Sequence, residues 1–147
     1  MTQGNIISSV NPKGNIISSA QSEEARSLKM SVEIYKKVRP FMLGDFYNIF
    51  PLASVEMSRY ARVDEVWSGN QFHRPDIGDG VAIVFRREKC NEAVKEIELR
   101  GIDLGARYEV TFEGRDGTKL KDGRQLLSLE VEILSSPGSE IIFYRKL

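Results

Sequence analysis

The apolar residues of the N-terminal third recur at helical spacing over residues 23–38. They follow one another at steps of four, three and three: Leu28, Val32, Tyr35 and Val38. Because an α-helix turns once in about 3.6 residues, this spacing places them on one face. The pattern predicts one amphipathic helix.

Local signals mark both ends of this helix. Ser22 is a suitable N-cap, and Glu23 and Glu24 follow it, where acidic side chains favour the positive end of the helix dipole. Pro40 ends the helix, because a residue before proline is pushed out of helical dihedrals.

From Phe41 onward the apolar period changes to two, as in strands with one buried face. Two segments alternate in this way: Tyr108, Val110 and Phe112, then Leu127, Leu129, Val131 and Ile133. Residues 81–85 and 141–144 are continuous apolar runs, which are typical of strands buried on both sides.

Glycine-containing turn signals separate these segments. They are Asp79-Gly80, Asp116-Gly117, Asp122-Gly123 and Pro137-Gly138. Seven or eight short strands with this spacing predict an all-β fold, an antiparallel β-sandwich preceded by one N-terminal α-helix.

A tandem repeat occupies the first residues of the chain. The hexapeptide Gly-Asn-Ile-Ile-Ser-Ser occurs at 4–9 and again at 14–19, and two copies are too few to form a solenoid. The segment is either a flexible leader or a pair of strands that joins a sheet edge. We therefore divide the chain into a leader at 1–21, a helix at 22–40 and a β-sandwich at 41–147.

Charge and cysteine content exclude several function classes. Lys+Arg and Asp+Glu both number 21, so the net charge is zero and nucleic-acid binding is not expected. The densest basic run, at 86–89, is interpreted as a strand end in water. The single cysteine, Cys90, excludes an intramolecular disulfide and a multi-cysteine zinc site. We expect no metal site and no cofactor.

No apolar run approaches the 18 residues of a membrane-spanning helix, and no signal-peptide pattern opens the sequence. The expected location is cytoplasmic, without a membrane partner.

The segment 67–80 contains the only tryptophan and the only histidine. In one interpretation Trp67 is a platform for sugar stacking, and His73, Arg74 and Asp76 are its hydrogen-bonding partners. In the other, Trp67 belongs to the core, and Arg74 and Asp76 form an ion pair that fixes a loop. Gly78 and Gly80 are expected to adopt positive φ before the next strand.

Catalytic chemistry has little support. A Ser–His–Asp set would require His73, and no Gly-x-Ser-x-Gly elbow is present. Cys90 could meet His73 only by chance of folding, so no catalytic residue is assigned. Tyr108 opens a strand after a tight corner, and its hydroxyl is expected to return to backbone a few residues upstream. The alternative is a binding-site aromatic.

Several motifs together resemble the C-terminal part of melibiase-type retaining α-galactosidases, over residues 31–147. The first group is Arg39-Pro40-Phe41, Gly44-Asp45-Phe46-Tyr47, Pro51, Trp67 and Gln71-Phe72-His73-Arg74-Pro75-Asp76, with Gly78 and Gly80. The second is Phe85-Arg86-Arg87, Leu99-Arg100-Gly101-Ile102-Asp103, Tyr108-Glu109-Val110 and Pro137-Gly138-Ser139.

The resemblance implies an order of parts. Such enzymes place a β-domain before a (β/α)₈ barrel with two catalytic carboxylates, and a β-sandwich ends the chain. Residues 22–39 resemble the last helix of that barrel, and residues from 48 onward resemble the sandwich. A barrel needs about 250 residues, and this sequence has 147. No catalytic residue is therefore carried over.

The leading hypothesis is a non-catalytic accessory domain of a bacterial-type α-galactosidase-like glycoside hydrolase, with a structural or assembly role in carbohydrate metabolism. Its partners would be a second copy or a separate catalytic barrel chain. The alternative is a stand-alone carbohydrate-binding module that binds a galactoside through Trp67, Tyr60 and His73. An enzyme in its own right is least favoured.

Overall fold

The computed structural model describes residues 19–50 and 66–147, with side chains from residue 22 onward. The repeat at 4–19, apart from the backbone of Ser19, and also Pro51 and Tyr60, therefore lie outside the described residues. The chain divides into two compact units, Met1–Pro40 and Phe41–Leu147. Among the described residues, no helix combines the length and the apolar character needed to cross a membrane.

The described part of the first unit is mainly one helix, α1 (Ser19–Val38), and a 3₁₀ turn at Arg39–Phe41 follows it. The helix stops before Pro40, as predicted. The predicted N-cap is wrong, because α1 begins at Ser19 and Ser22 lies inside it. Ala20 and Gln21 are good helix formers, so the helix extends almost one turn further toward the N-terminus. The first turn consequently carries no acidic residue.

The second unit is built of antiparallel strands. Their bounds are β1 (Asp45–Asn48), β2 (Trp67–Arg74), β3 (Asp79–Arg86), β4 (Val94–Ile97), β5 (Arg107–Phe112), β6 (Thr118–Asp122), β7 (Leu129–Glu132) and β8 (Gly138–Lys146). One sheet has six strands in the order β1-β2-β3-β8-β5-β6, and the other pairs β4 with β7. Within the described residues this is the predicted β-sandwich.

The core of this unit lies between the two sheets. The larger sheet contributes mainly Trp67, Ala82, Val84, Tyr108, Val110, Ile142 and Tyr144, and the smaller contributes Ile97, Leu129 and Val131. The predicted alternation along β5 is confirmed, since Tyr108, Val110 and Phe112 are buried and the residues between them are half-buried.

The alternation predicted from residue 127 onward is only partly correct. Leu129 and Val131 are buried in β7, whereas Leu127 belongs to a 3₁₀ turn, Gln125–Leu127, and is exposed. Oε1 of Gln125 accepts the backbone N–H of Asp122 at 2.9 Å, and Oδ1 of Asp122 accepts the backbone N–H of Gln125 at 3.0 Å. This reciprocal pair closes a turn that keeps Leu127 out of the strand.

The turn predictions are confirmed at Gly117, which ends the β5–β6 connection with a φ of 92°. The predicted turn at Asp79-Gly80 is wrong, because both residues already belong to β3. The chain reverses just before them, where Gly78 has the expected positive φ of 79°. The expected positive φ of Gly80 is wrong, because Gly80 has the extended backbone of β3. Gly80 is instead needed for the packing around Tyr144.

Candidate functional site

Strand β2 positions most of the residues that the sequence singled out. Side chains alternate between the two faces of a strand, so Trp67, Gln71 and His73 face the core whereas Phe72 and Arg74 face outward. Gln71 and His73 are buried polar residues, and Tyr144 on β8 is buried together with its hydroxyl group. We call Gln71, His73 and Tyr144 the polar cluster.

Gln71 fastens β2 to the loop that follows β4. Its Oε1 accepts the backbone N–H of Arg100 at 2.8 Å, and its Nε2 donates to the carbonyl oxygen of Arg100 at 2.8 Å. The second Nε2 hydrogen goes to the hydroxyl oxygen of Tyr144, at 2.7 Å. A buried amide costs free energy unless it is hydrogen-bonded, and these contacts satisfy both ends of it.

His73 completes the cluster. Its Nδ1 lies 2.8 Å from the hydroxyl oxygen of Tyr144, and the two rings stack with centroids 5.9 Å apart. Burial lowers the pKa of His73, although Asp45, Asp79 and Asp76 act in the opposite direction. Burial also raises the pKa of the Tyr144 hydroxyl well above its ordinary value. Both side chains are therefore neutral at neutral pH.

Two glycines make room for the cluster. A Cβ on Gly80 would lie 2.1 Å from the Tyr144 hydroxyl oxygen, so no other residue fits there without displacement of the tyrosine. Gly101 has a φ of 73°, and a Cβ on it would lie 2.8 Å from Cδ2 of His73. The glycines at 80 and 101 are thus parts of one packing arrangement, which the spacing of the motifs did not reveal.

Trp67 occupies the core, as the second interpretation of the sequence held. Its side chain is only 4% exposed, and its Nε1–H donates to the carbonyl oxygen of Glu92 at 2.8 Å. The ring of Phe50 lies beside it, with centroids 6.5 Å apart. A sugar-stacking platform needs an open ring face, and Trp67 has none in this structure.

Arg74 and Asp76 form the expected ion pair. Nε of Arg74 donates to Oδ1 of Asp76 at 2.9 Å, and its Nη2 donates to Oδ2 at 2.6 Å. The guanidinium group lowers the pKa of Asp76. The pair spans the tight turn after β2 and fixes its shape, and both side chains remain in contact with solvent.

The candidate sugar-binding residues that the structure describes do not all converge on one site. Trp67 and Arg74 are the first and last residues of β2, which at a rise of about 3.3 Å per residue separates them by roughly 23 Å. His73 faces the opposite side of the sheet from its neighbour Arg74. Tyr60 lies outside the described residues.

The prediction that Arg86 lies at a solvated strand end is wrong. The run at 86–89 was expected to lie in water, but Arg86 is the last inward position of β3 and is buried. Its guanidinium group donates to three backbone carbonyl oxygens: Cys90 at 2.8 Å, Ile133 at 2.9 Å and Leu134 at 3.2 Å. It ties the end of β3 to the chain after β7. The alternation of Ala82, Val84 and Arg86 was the signal for this position.

Tyr108 forms the predicted tyrosine corner, since its hydroxyl oxygen accepts the backbone N–H of Asp103 at 2.9 Å. Its side chain is buried, so the binding-site alternative has no structural support. Cys90 is also buried. Among residues 19–50 and 66–147, no group of three His, Cys, Asp or Glu side chains is placed to hold a metal ion.

The outward face of the larger sheet is apolar, in keeping with the continuous apolar runs of β3 and β8. Phe46, Phe72, Val81 and Phe143 are cross-strand neighbours in one row over β1, β2, β3 and β8. Ile83, Phe85 and Ile141 lie beside this row on the same face. We call these seven residues the outer apolar patch.

Parts of this patch are open to solvent: Phe46 is 54% exposed and Phe85 is 41% exposed. The ring of Phe41 partly covers it, with a centroid 6.4 Å from that of Phe143. An antiparallel sandwich usually turns polar side chains outward, and contiguous apolar surface marks a contact region. The exposed rings of Phe46 and Phe85 therefore make this patch a candidate contact surface.

No protein-family model matches the chain, and no curated protein is significantly similar to it in sequence. One similar solved structure is the GH36 α-galactosidase AgaA from Geobacillus stearothermophilus, in complex with raffinose. The TM-score is 0.62 at 19% identity, and the match covers 89% of this chain but 16% of that chain. The expected resemblance to an α-galactosidase is thus confirmed at the level of the fold.

Proposed function

We propose that this chain is a non-catalytic accessory domain of an α-galactosidase-like glycoside hydrolase, with a structural or assembly role. The observation that carries the proposal is the unequal coverage of the structural match, 89% of this chain against 16% of the enzyme. The matching region is less than a fifth of the enzyme chain. Most of such an enzyme therefore lies outside this fold and can pack against it.

The chemistry of the described residues supports a structural role. A retaining glycosidase needs two carboxyl groups about 5–5.5 Å apart on either side of the scissile bond. Here two of the acidic groups beside the polar cluster already have partners. Asp76 binds the Arg74 guanidinium, and Oδ1 of Asp79 accepts the backbone N–H of Lys146 at 2.9 Å. His73 is buried and bound to Tyr144, so it is not offered to a substrate.

The outer apolar patch supports the assembly role. It adds little to the core between the sheets, yet it keeps phenylalanine rings in solvent. The partner that we propose for it is the catalytic barrel of such an enzyme, either in the same polypeptide or as a separate chain. Two arginines near the patch already have acidic partners, since Arg74 pairs with Asp76 and Arg145 with Glu109. An apolar partner surface is therefore the best complement.

A hydrolysis assay tests the non-catalytic half of the proposal. The purified chain is incubated with an aryl α-galactoside and with raffinose, and the expected rate equals that of buffer. Gly80→Ala should disrupt the fold. Purified in the same way, this variant shows how much activity comes from contaminating enzymes. Turnover by the wild type that is absent from Gly80→Ala preparations would overturn the proposal.

The assembly half is tested on the patch itself. We expect the double variant Phe46→Ser/Phe85→Ser to bind less of a hydrophobic dye and to self-associate less at high concentration. The matched control is Leu120→Ser, which removes a 57% exposed leucine from β6, two strands away from the patch. If the double variant and Leu120→Ser behave alike, the patch is not a docking surface.

A stand-alone carbohydrate-binding module is less well supported, because Trp67 and His73 are buried. Titration with galactose and raffinose, followed by amide chemical shifts, separates the two functions. Saturable shifts confined to one surface would favour the binding module. Unchanged shifts at millimolar sugar are the result expected of an accessory domain.

A further inference from the structure

The polar cluster has a fixed direction of hydrogen bonding. The backbone N–H of Arg100 can only donate, so the group 2.8 Å from it is the amide oxygen of Gln71. The amide nitrogen of Gln71 must then donate, to the carbonyl of Arg100 and to the oxygen of Tyr144. One lone pair of that oxygen is therefore occupied.

This direction favours one tautomer of the neutral His73 ring. The hydroxyl hydrogen of Tyr144 still needs an acceptor, and Nδ1 of His73 lies 2.8 Å from the hydroxyl oxygen. The hydrogen bonds of the Tyr144 hydroxyl within the described residues involve only Gln71 and His73, so we assign Nδ1 as the acceptor of this hydrogen and place the imidazole proton on Nε2. The edge of the ring that bears Nε2 lies against Gly101, whose missing side chain leaves the space.

Protonation of His73 would reverse the direction of one hydrogen bond in the polar cluster. A proton from solvent on Nδ1 turns the acceptor into a donor, so Nδ1–H and the Tyr144 hydroxyl would face each other as two donors. Tyr144 does not relieve the conflict by losing its proton, because burial raises its pKa. Its hydroxyl must rotate away, which disturbs the oxygen that holds the Gln71 amide.

Other ionisable groups surround the cluster. Asp45 on β1 is the cross-strand partner of His73, Asp79 lies at the start of β3, and Asp76 lies in the turn between β2 and β3. All three favour a charged imidazole, but burial has the larger effect and lowers the pKa of His73.

Tyr47 of β1 is the cross-strand partner of Gln71 and lies on the same face as the cluster. The other groups are on the remaining elements packed around the cluster. Lys146 of β8 pairs with Asp103 at 3.1 Å, and Tyr108 of β5 contacts the ring of Tyr144 with centroids 6.1 Å apart. Arg100 meets the cluster through its backbone, and its side chain is exposed. None of these described contacts supplies an acceptor for a hydrogen on Nδ1 of His73.

We propose that the polar cluster is a pH-sensitive clasp, which holds the loop at Arg100 and Gly101 on the sandwich while His73 is neutral and releases it when His73 is protonated. This inference does not depend on the proposed function. Because the pKa of His73 is lowered in the folded chain, the unfolded chain takes up the proton first as the pH falls. Stability is then complete above about pH 6.5 and declines below it, by at most about tenfold in the unfolding equilibrium per pH unit.

Nuclear magnetic resonance of the wild-type chain tests the clasp directly, since His73 is the only histidine. We expect an unprotonated Nδ1, titration below pH 6.5, and loss of hydrogen-exchange protection at the Arg100 amide in step with that titration. The amide of Asp103, which is bound to Tyr108, is the internal control and should stay protected. Titration at or above pH 6.5, or unchanged protection at Arg100, would overturn the clasp.

Two matched variants separate the clasp from ordinary packing. Tyr144→Phe removes the hydroxyl that donates to His73, so the histidine pKa should rise toward its ordinary value and the pH dependence of unfolding should flatten. Tyr108→Phe removes a buried hydroxyl from a contacting ring but leaves His73 untouched. Equal effects of the two variants on the His73 titration would contradict the clasp. If Tyr144→Phe does not fold, the wild-type titration still decides.

Discussion

Residues 71–73 of β2 reverse the usual order of a sandwich. Gln71 and His73 are polar and point into the core, whereas Phe72 is aromatic and points outward beside Phe46, with ring centroids 5.4 Å apart. In most antiparallel sheets with one solvated face, the apolar residues are inside and the polar ones outside. The inward polar residues are tolerated because their hydrogen bonds end on backbone groups or on each other.

The difference between the faces separates two kinds of constraint. The inner face is fixed by the fold of this unit, since its hydrogen bonds join β2, β8 and the loop at Arg100. On the outer face Phe72 contacts the ring of Phe46, and Phe41 covers part of the patch beside Phe143. Substitutions should consequently unfold the chain when they are made inside and alter its associations when they are made outside.

Gly80→Ala is expected to have the largest effect. The added Cβ would meet the Tyr144 hydroxyl oxygen at 2.1 Å, and overpacking of this kind should cost about 3 kcal/mol or more. Gly105→Ala is the matched control, because its nearest contact is Oδ1 of Asp103 at 3.5 Å. Urea unfolding measures both variants, and Gly80→Ala should lose its folded baseline. Equal losses would mean that Gly80 is not kept for Tyr144.

Gln71→Leu should have the next largest effect. It leaves the N–H and C=O of Arg100 without their side-chain partner and removes a donor from Tyr144, which should cost roughly 2–4 kcal/mol. Gln125→Leu is the control, since Gln125 accepts the N–H of Asp122 at 2.9 Å in an exposed turn. Thermal unfolding compares them, and a Gln71 variant as stable as the Gln125 variant would break the distinction between the faces.

Phe46→Ser should change the stability of the isolated chain by about 1 kcal/mol or less, because the ring is half in solvent and mainly loses its contact with Phe72. Its effect should instead fall on association, measured by sedimentation at rising concentration. A loss of stability as large as that of Gln71→Leu would show that the outer apolar patch supports the fold itself.

The smallest effect is expected from Asp76→Asn at the rim of the outward face. The substitution removes the charge that Arg74 binds, but exposed ion pairs contribute little and are screened by salt. The melting temperature of the variant should fall slightly at low ionic strength. Its difference from the wild type should vanish in about 1 M salt, because salt screens this ion pair. A difference that persists in high salt would point to a role beyond this pair.

Several elements could be predicted because short-range patterns determine them. Pro40 ended the helix as expected, the alternation at Tyr108, Val110 and Phe112 formed β5, and the Tyr108 corner closed on Asp103. Each depends on a local dihedral restriction or on a period of two. Ser22 shows the limit of such signals, because a residue suited to capping can lie inside a helix when the residues before it also favour helix.

The sequence by itself determined the antiparallel sandwich, the preceding helix and the resemblance to an α-galactosidase, because periodicity, turns and motifs are written along the chain. Only the tertiary structure decided which motif residues meet. Tyr144 lies 71 residues from His73 and fills the space over Gly80, and Arg86 reaches carbonyl groups 47 and 48 residues away. Such contacts depend on strand order and register, which bring β2, β3 and β8 together. A local pattern does not encode that order, so a segment that suggested a binding site became part of the core.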